Sequence, residues 1–264
     1  MITLAIARKS IKLFLRNFMM IPVLVAMPVF QIYLLSVVMG GAEEAVVESH
    51  GFVELVLLQT AASLDPSQFF AASMTVVFLL ITGMTAAVGI IEERENKTLA
   101  RTLAAPVSRG QIIVGNLIGQ VMFSFVIGAL IIAVTHFALG INWGTSPLLL
   151  FLVTLTVIYV AVALGFVFVG IFRDSKTASG VTSFSVIAMA FLSDGMTGGS
   201  LTDGGPFVLT RNFTLNKWAY EAYIGVMESR PFNEYSLNLG ILAAVGTALA
   251  VVAIILFGKE NIHE

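Results

Sequence analysis

Apolar residues fall along this chain in six long runs separated by short polar intervals, and that alternation governs the reading. The runs are Phe18–Gly40, Phe69–Ile91, Ile112–Leu139, Leu148–Phe172, Ala178–Leu192 and Leu237–Phe257. A bilayer core about 30 Å thick needs roughly 20 residues of helix. The fifth run is short, and Gly195, Gly198, Gly199, Gly204, Gly205 and Pro206 follow it. Such a sequence predicts a helix that stops early or turns back within the membrane. Irregular backbone at that depth is tolerated only under a cover of protein or water. The pattern predicts an all-α membrane protein of six spans, 18–40, 69–91, 112–139, 148–172, 178–192 and 237–257, in a single domain over 1–264.

Four intervals carry patterns of their own. Within 1–17 and its boundary, Ala7, Ile11, Phe14, Leu15 and Phe18 recur at helical spacing, while Arg8, Lys12 and Arg16 line another face. A helix of this kind lies in the membrane interface, cations toward anionic headgroups. Glu92–Ala105 predicts a short charged helix that Pro106 ends, because proline cannot continue the hydrogen-bond ladder. Phe52–Leu64 predicts packing at the membrane surface. Leu215–Met227, with Trp218, Tyr220 and Tyr223, predicts an interfacial aromatic belt.

Composition agrees with lipid burial. The chain is 58% hydrophobic and 11% charged, where a water-facing domain keeps about a quarter of its residues charged. A basic start before an apolar run imitates a signal peptide. The first run, however, is about 23 residues against roughly 7–15 for a cleaved segment, so an uncleaved span is expected. Without cysteine, disulfides, thiolate metal sites and cysteine nucleophiles are excluded. Of the 14 Lys and Arg residues only Arg211, Lys217 and Arg230 fall in the alternate set of loops. The first loop of that set is acidic, through Glu43, Glu44, Glu48, Glu54 and Asp65. The positive-inside bias then places both termini in the cytoplasm of a multi-pass plasma (inner) membrane protein.

Candidate chemistry is sparse. His50, His136 and His263 stand far apart, and no zinc-protease or serine-hydrolase motif occurs. Asp194 is the nearest approach to a buried carboxylate and reads as a cap or a solvated turn; His136 reads as an interfacial histidine. The central stretches of the spans carry no Asp, Glu, Lys or Arg, the groups that mark ion pathways in membranes. Their polar residues (Gln31, Thr82, Thr85, Ser124, Thr154, Thr156, Ser183, Ser185) can bond to helix carbonyls or across helices. No phosphate-binding loop occurs; Gly115–Gly119 has the wrong spacing and no lysine. Energy for any pumping would enter from another chain. No enzyme activity, metal or cofactor is expected on this one, and no nucleic-acid partner.

The longest inner interval runs Glu92-Glu93-Arg94-Glu95-Asn96-Lys97-Thr98-Leu99-Ala100-Arg101-Thr102-Leu103 and on to Pro106-Val107-Ser108-Arg109. A short rigid helix there would serve as a lever for a bound partner; equally, the charges pair at i, i+4 (Glu93 with Lys97) in a solvated loop. The stretch resembles the E-R-E-x-G-T-L-x-x-L-x-x-x-P-V-S-R signature of type-2 ABC exporter permeases, the ABC-2-type family. Glu93-Arg94-Glu95, Thr98-Leu99, Leu103 and Pro106-Val107-Ser108-Arg109 match it in order. Lys97 stands where glycine is usual, and Asn116 where lysine often follows the glycine. Phe191-Leu192-Ser193-Asp194-Gly195 resembles the turn before that family's re-entrant outer helices, with Asp194 as a departure.

The resemblance implies six spans, an N-terminal connecting helix with Arg8, Lys12 and Arg16, and re-entrant outer helices between spans five and six. It implies a cytoplasmic coupling helix in which Glu92, Glu93, Arg94, Glu95, Thr98, Leu99, Arg101 and Leu103 meet an ATPase. It also implies two cytoplasmic ABC ATPase subunits, which would hold ATP and Mg, and a second permease subunit as homodimer or heterodimer. The expected function is export of a hydrophobic or amphipathic substrate (a drug, antibiotic or lipid), with polysaccharide export as the alternative within the family. Gln31, Gly83, Thr85, Ser183 and Ser185 are candidate lining of the route along spans one, two and five, although helix packing explains the small ones as well. An ion-coupled carrier or channel acting alone, and a membrane assembly or signalling subunit, are the readings from other classes.

Overall fold

A computed structural model of the chain describes residues 20–48, 66–96, 109–196 and 210–260, which form seven helices and, among the described residues, no strand. They are α1 (Met20–Glu48), α2 (Pro66–Glu95), α3 (Arg109–Leu139), α4 (Pro147–Ile171), α5 (Ser175–Leu192), α6 (Leu215–Met227) and α7 (Phe232–Glu260). In its described residues each of the six apolar runs falls on its own helix, Phe172 alone lying just past the end of α4. The N-terminal amphipathic segment, Phe52–Leu64, the interval 97–108 and the glycine-rich stretch 197–209 lie outside the described residues.

Local chemistry accounts for several ends. At the start of α4, Ser146 Oγ accepts the Leu149 N–H at 3.4 Å, and Pro147 occupies the first turn, where its missing donor costs nothing. At the start of α5, Asp174 accepts the Thr177 N–H at 2.7 Å. Gly144, at φ +88°, approaches the Val226 carbonyl so closely that any Cβ would collide with it. Only glycine combines that backbone with that approach.

The centre of the bundle is α2. Every residue from Phe70 to Leu80 is buried by the neighbouring helices. It packs against α1, α3, α4, α5 and α6. Small residues allow the close approaches: Gly83 abuts Ala161 of α4, and Gly128 of α3 abuts Leu79. By contrast, 11% of the apolar window of α1 is buried, against 81% for α2.

Paired positions show the helix directions. Leu79 and Thr82 of α2 meet Gly128 and Gln120 of α3, so those two run antiparallel. Phe125 of α3 meets Phe151 of α4 edge-on, and only the short connection 140–146 separates the end of α3 from the start of α4. Tyr159 and Gly170 of α4 meet Gly246 and Leu256 of α7, so α7 runs with α4. α5 starts beside Glu95 and ends beside Ser73, opposite ends of α2. The bundle therefore has two ends, named here for Glu95 and Trp143.

Among the described residues, five helices are long and apolar enough to cross a membrane: α1, α2, α3, α4 and α7. α5, of 18 residues, is not among them on that criterion. Two expectations need correction. Glu92–Glu95 form the last turn of α2 and do not begin a separate helix, the Asn96 N–H closing on the Glu92 carbonyl at 2.9 Å. The belt expected on α6 is turned inward at Tyr220 and Tyr223, which are fully buried. Their hydroxyls find acceptors inside the bundle, which removes the reason for a wet interface.

Candidate functional site

The Glu95 end is built from exposed carboxylates and helix starts. Glu95, last residue of α2, accepts both the Ser175 N–H at 3.0 Å and the Ser175 hydroxyl at 2.6 Å. Asp174 accepts the Thr177 N–H at 2.7 Å and its hydroxyl at 2.6 Å. Two anions thus satisfy amides at the start of α5, where the helix dipole also favours negative charge. The Thr177 hydroxyl and amide hold the Asp174 carboxyl below the usual carboxylate range. Glu92 is exposed, Glu93 half-buried, and Arg94 belongs to the same turn of α2. Of the remaining coupling residues, Thr98, Leu99, Arg101 and Leu103 lie outside the described residues, as do Arg8, Lys12 and Arg16.

The predicted lining residues do not form one surface. Gly83 is enclosed against α4. Thr85 is exposed on α2, its hydroxyl donating to the Ile81 carbonyl at 2.6 Å. Gln31 is half-buried on α1; on α5 Ser183 is exposed and Ser185 half-buried. α5 turns Ala178, Thr182, Val186 and Ala190, one residue in every four, into the bundle. Its other face leaves Phe184, Ile187 and Phe191 uncovered. Two shallow apolar cavities open on the bundle surface. One of about 570 Å³ lies between α1 and α3, lined by Pro22, Val25, Val29, Phe30, Tyr33 and Val134. Another of about 420 Å³ lies between α3 and α4, lined by Phe125, His136, Trp143, Phe151 and Thr154 among others.

The Trp143 end is closed by buried polar pairs. Trp143 Nε1 donates to Thr135 Oγ1 at 3.0 Å, Tyr223 to Thr154 Oγ1 at 2.8 Å, and Tyr220 to the Ser193 carbonyl at 2.9 Å. Asp194 takes a left-handed backbone, φ +66°, in the turn after α5, and is 1% exposed. The turn agrees with the expectation, but it is not solvated, because Ser73 and α6 close over its neighbours Gly195 and Ser193. Arg211 pairs with Glu221 at 3.1 Å beside this turn's neighbour Tyr220. His136 is exposed, and its Nδ1–H donates to the Ile141 carbonyl at 2.8 Å. Midway down the bundle the buried Gln120 donates from Nε2 to the Thr82 carbonyl and to Ser124 Oγ. That crossing from α3 to α2 had no signal in sequence, since a lone glutamine in an apolar run names no partner. Among the described residues no group of three or more His, Cys, Asp or Glu side chains is placed to hold a metal.

Among the described residues, five long apolar helices, one of them enclosed by its neighbours, make a multi-pass membrane domain. Residues 2–224 match the model of the ABC-2 type transporter family. The chain belongs to that family. This ABC-2 chain is also 30% identical over 123 residues to the linearmycin resistance permease protein LnrN of Bacillus subtilis (strain 168). The aligned stretch covers 47% of this chain and 32% of that relative, so the match spans about a third of the relative's own length. This family match agrees with the resemblance drawn from the Glu93–Arg109 signature.

Proposed function

We propose that this ABC-2 chain is the membrane-spanning subunit of an ATP-driven exporter for hydrophobic or amphipathic substrates, powered by two copies of a separate cytoplasmic ATPase. The family match over 2–224 carries this reading. The helices add support, because the middles of the apolar windows hold no Asp, Glu, Lys or Arg with which to couple an ion gradient. α5 acts as the sixth span: it reaches from the level of Glu95 to that of Ser73, most of the length of α2, although its hydropathy is lower. The Glu95 end faces the cytoplasm, where the interval 97–108 engages the ATPase.

A second permease copy, identical or paralogous, covers the apolar faces that α1 and α5 leave open. The route then runs along that seam, with Gln31, Thr85, Ser183 and Ser185 supplying its few polar groups; Gly83 serves helix packing. The relative named as a linearmycin resistance permease fits an exporter. The test is capture of the ATPase by the full-length chain. The parent chain retains it, and Leu99→Asp, which puts a charge into the proposed coupling segment, weakens retention or ATPase stimulation at least about tenfold, the scale of losing one well-buried apolar contact. Undiminished capture and stimulation by Leu99→Asp would remove the 97–108 interval from the coupling role.

A further inference from the structure

Glu95 was expected to face an ATPase, yet its carboxylate is turned toward α5. It holds the first residue of that helix, 80 positions further along the chain, through both the amide and the hydroxyl of Ser175. A carboxylate that accepts two hydrogen bonds at a helix N-terminus is a charge-assisted clasp of defined geometry. It is also the last residue of α2, directly before the interval proposed to meet the ATPase.

The two helices are joined along the rest of their length. Ala178, Thr182, Val186 and Ala190 bury against the bundle on the side where α5 packs on α2. At the far end Gly195 lies against the Ser73 hydroxyl, and Tyr220 of α6 holds the Ser193 carbonyl. Packed cores and rigid helices move as units and resist local deformation. A displacement delivered at Glu95 is therefore passed to the whole of α5.

We infer that Glu95 is a positioning residue of energy coupling: it clasps α5 to the end of α2, so that α2 and α5 travel as one body when the ATPase pulls on the segment after Glu95. The inference rests on the permease reading. It assigns Glu95 an internal role distinct from contact with the ATPase.

The chain has no cysteine, which makes the test clean. Ser179→Cys, exposed one turn into α5, reports on that helix by its rate of labelling with a water-soluble maleimide. In the complete complex with its ATPase, ATP plus vanadate should change that rate by about threefold or more, as a shift between two states does. Adding Glu95→Ala should abolish the change while the complex still hydrolyses ATP, and Glu95→Gln, with one acceptor oxygen left, should fall between. A second variant, Asn96→Cys with Lys176→Cys, exposed neighbours that leave the Glu95–Ser175 clasp in place, should cross-link through a short flexible bis-methanethiosulfonate spacer to the same extent with and without ATP plus vanadate. A nucleotide effect on Ser179→Cys labelling that survives Glu95→Ala would overturn the clasp. So would cross-linking that collapses when nucleotide is bound, since α2 and α5 would then part during the cycle. Loss of the ATPase from the Glu95→Ala complex would place Glu95 on the ATPase surface, which also contradicts it. The permease reading is judged separately, by whether the parent chain captures an ATPase at all.

Discussion

The two ends of the bundle solve the same problem, what to do with polar groups where helices stop, in opposite ways. At the Trp143 end they are buried and paired: Trp143 with Thr135, Tyr223 with Thr154, Tyr220 with Ser193. At the Glu95 end the corresponding bonds, Glu95 to Ser175 and Asp174 to Thr177, are exposed to solvent. A buried hydrogen bond is costly to break, because its groups are left unsatisfied away from water; an exposed one is exchanged for water at little cost. One end is thus built to stay closed. The other is held by solvent-exposed, charge-assisted contacts whose loss leaves no buried group unsatisfied.

Mutations at the two ends should therefore differ in kind. The largest effect is expected for Gly144→Val. Its backbone is left-handed, and the new side chain would strike the Val226 carbonyl. The strain and the collision together should cost upwards of about 4 kcal/mol, seen as loss of a monodisperse folded protein in detergent. Full recovery of folded protein would mean that the α3–α4 turn does not pack on α6 as described. Next comes Tyr223→Phe, which removes a buried bond to Thr154 while the threonine keeps its bond to Leu150. A loss of about 1 kcal/mol is expected, measured as a lower thermal midpoint with transport per ATP unchanged.

The smallest effect belongs to the Glu95 end. Asp174→Ala should lower the midpoint only slightly at neutral pH, and the difference should depend on acidity. Because the folded-state carboxyl is held below its ordinary range, its contribution is complete above the unfolded aspartate value of about 3.9. It disappears as pH falls through the lower folded value. Melts compared at pH 7 and under acid conditions check the sign: a gap between parent and variant that widens on acidification would show the carboxyl to be destabilising.

Much of the frame was legible in the sequence because length and apolarity alone decide it. All six runs reappear as helices, with ends as close as Leu139 and Leu192. The turn at Ser193–Gly195 was legible from its glycine and the shortness of the preceding run. Lateral position was not legible. Nothing in the pattern of α2 separates a helix enclosed on every side from one bathed in lipid, since both are apolar all round. The same ambiguity turned Tyr220 and Tyr223 the wrong way: an amphipathic aromatic suits an interface or a satisfied core equally well, and only Ser193 and Thr154 decide between them. Glu95 illustrates the limit most clearly. Its motif pointed to a partner chain, whereas its hydrogen bonds go to Ser175, a residue that no local spacing connects to it.

The central claim is that an attached ATPase, and no ion gradient, drives this membrane domain. Proteoliposomes containing the chain with its ATPase, loaded with a fluorescent amphiphile such as an NBD-labelled phospholipid, test it most directly. Movement of the probe that requires both ATP and the ATPase subunit is the predicted result. Movement by the chain alone, driven by a proton or sodium gradient without ATP, would contradict it.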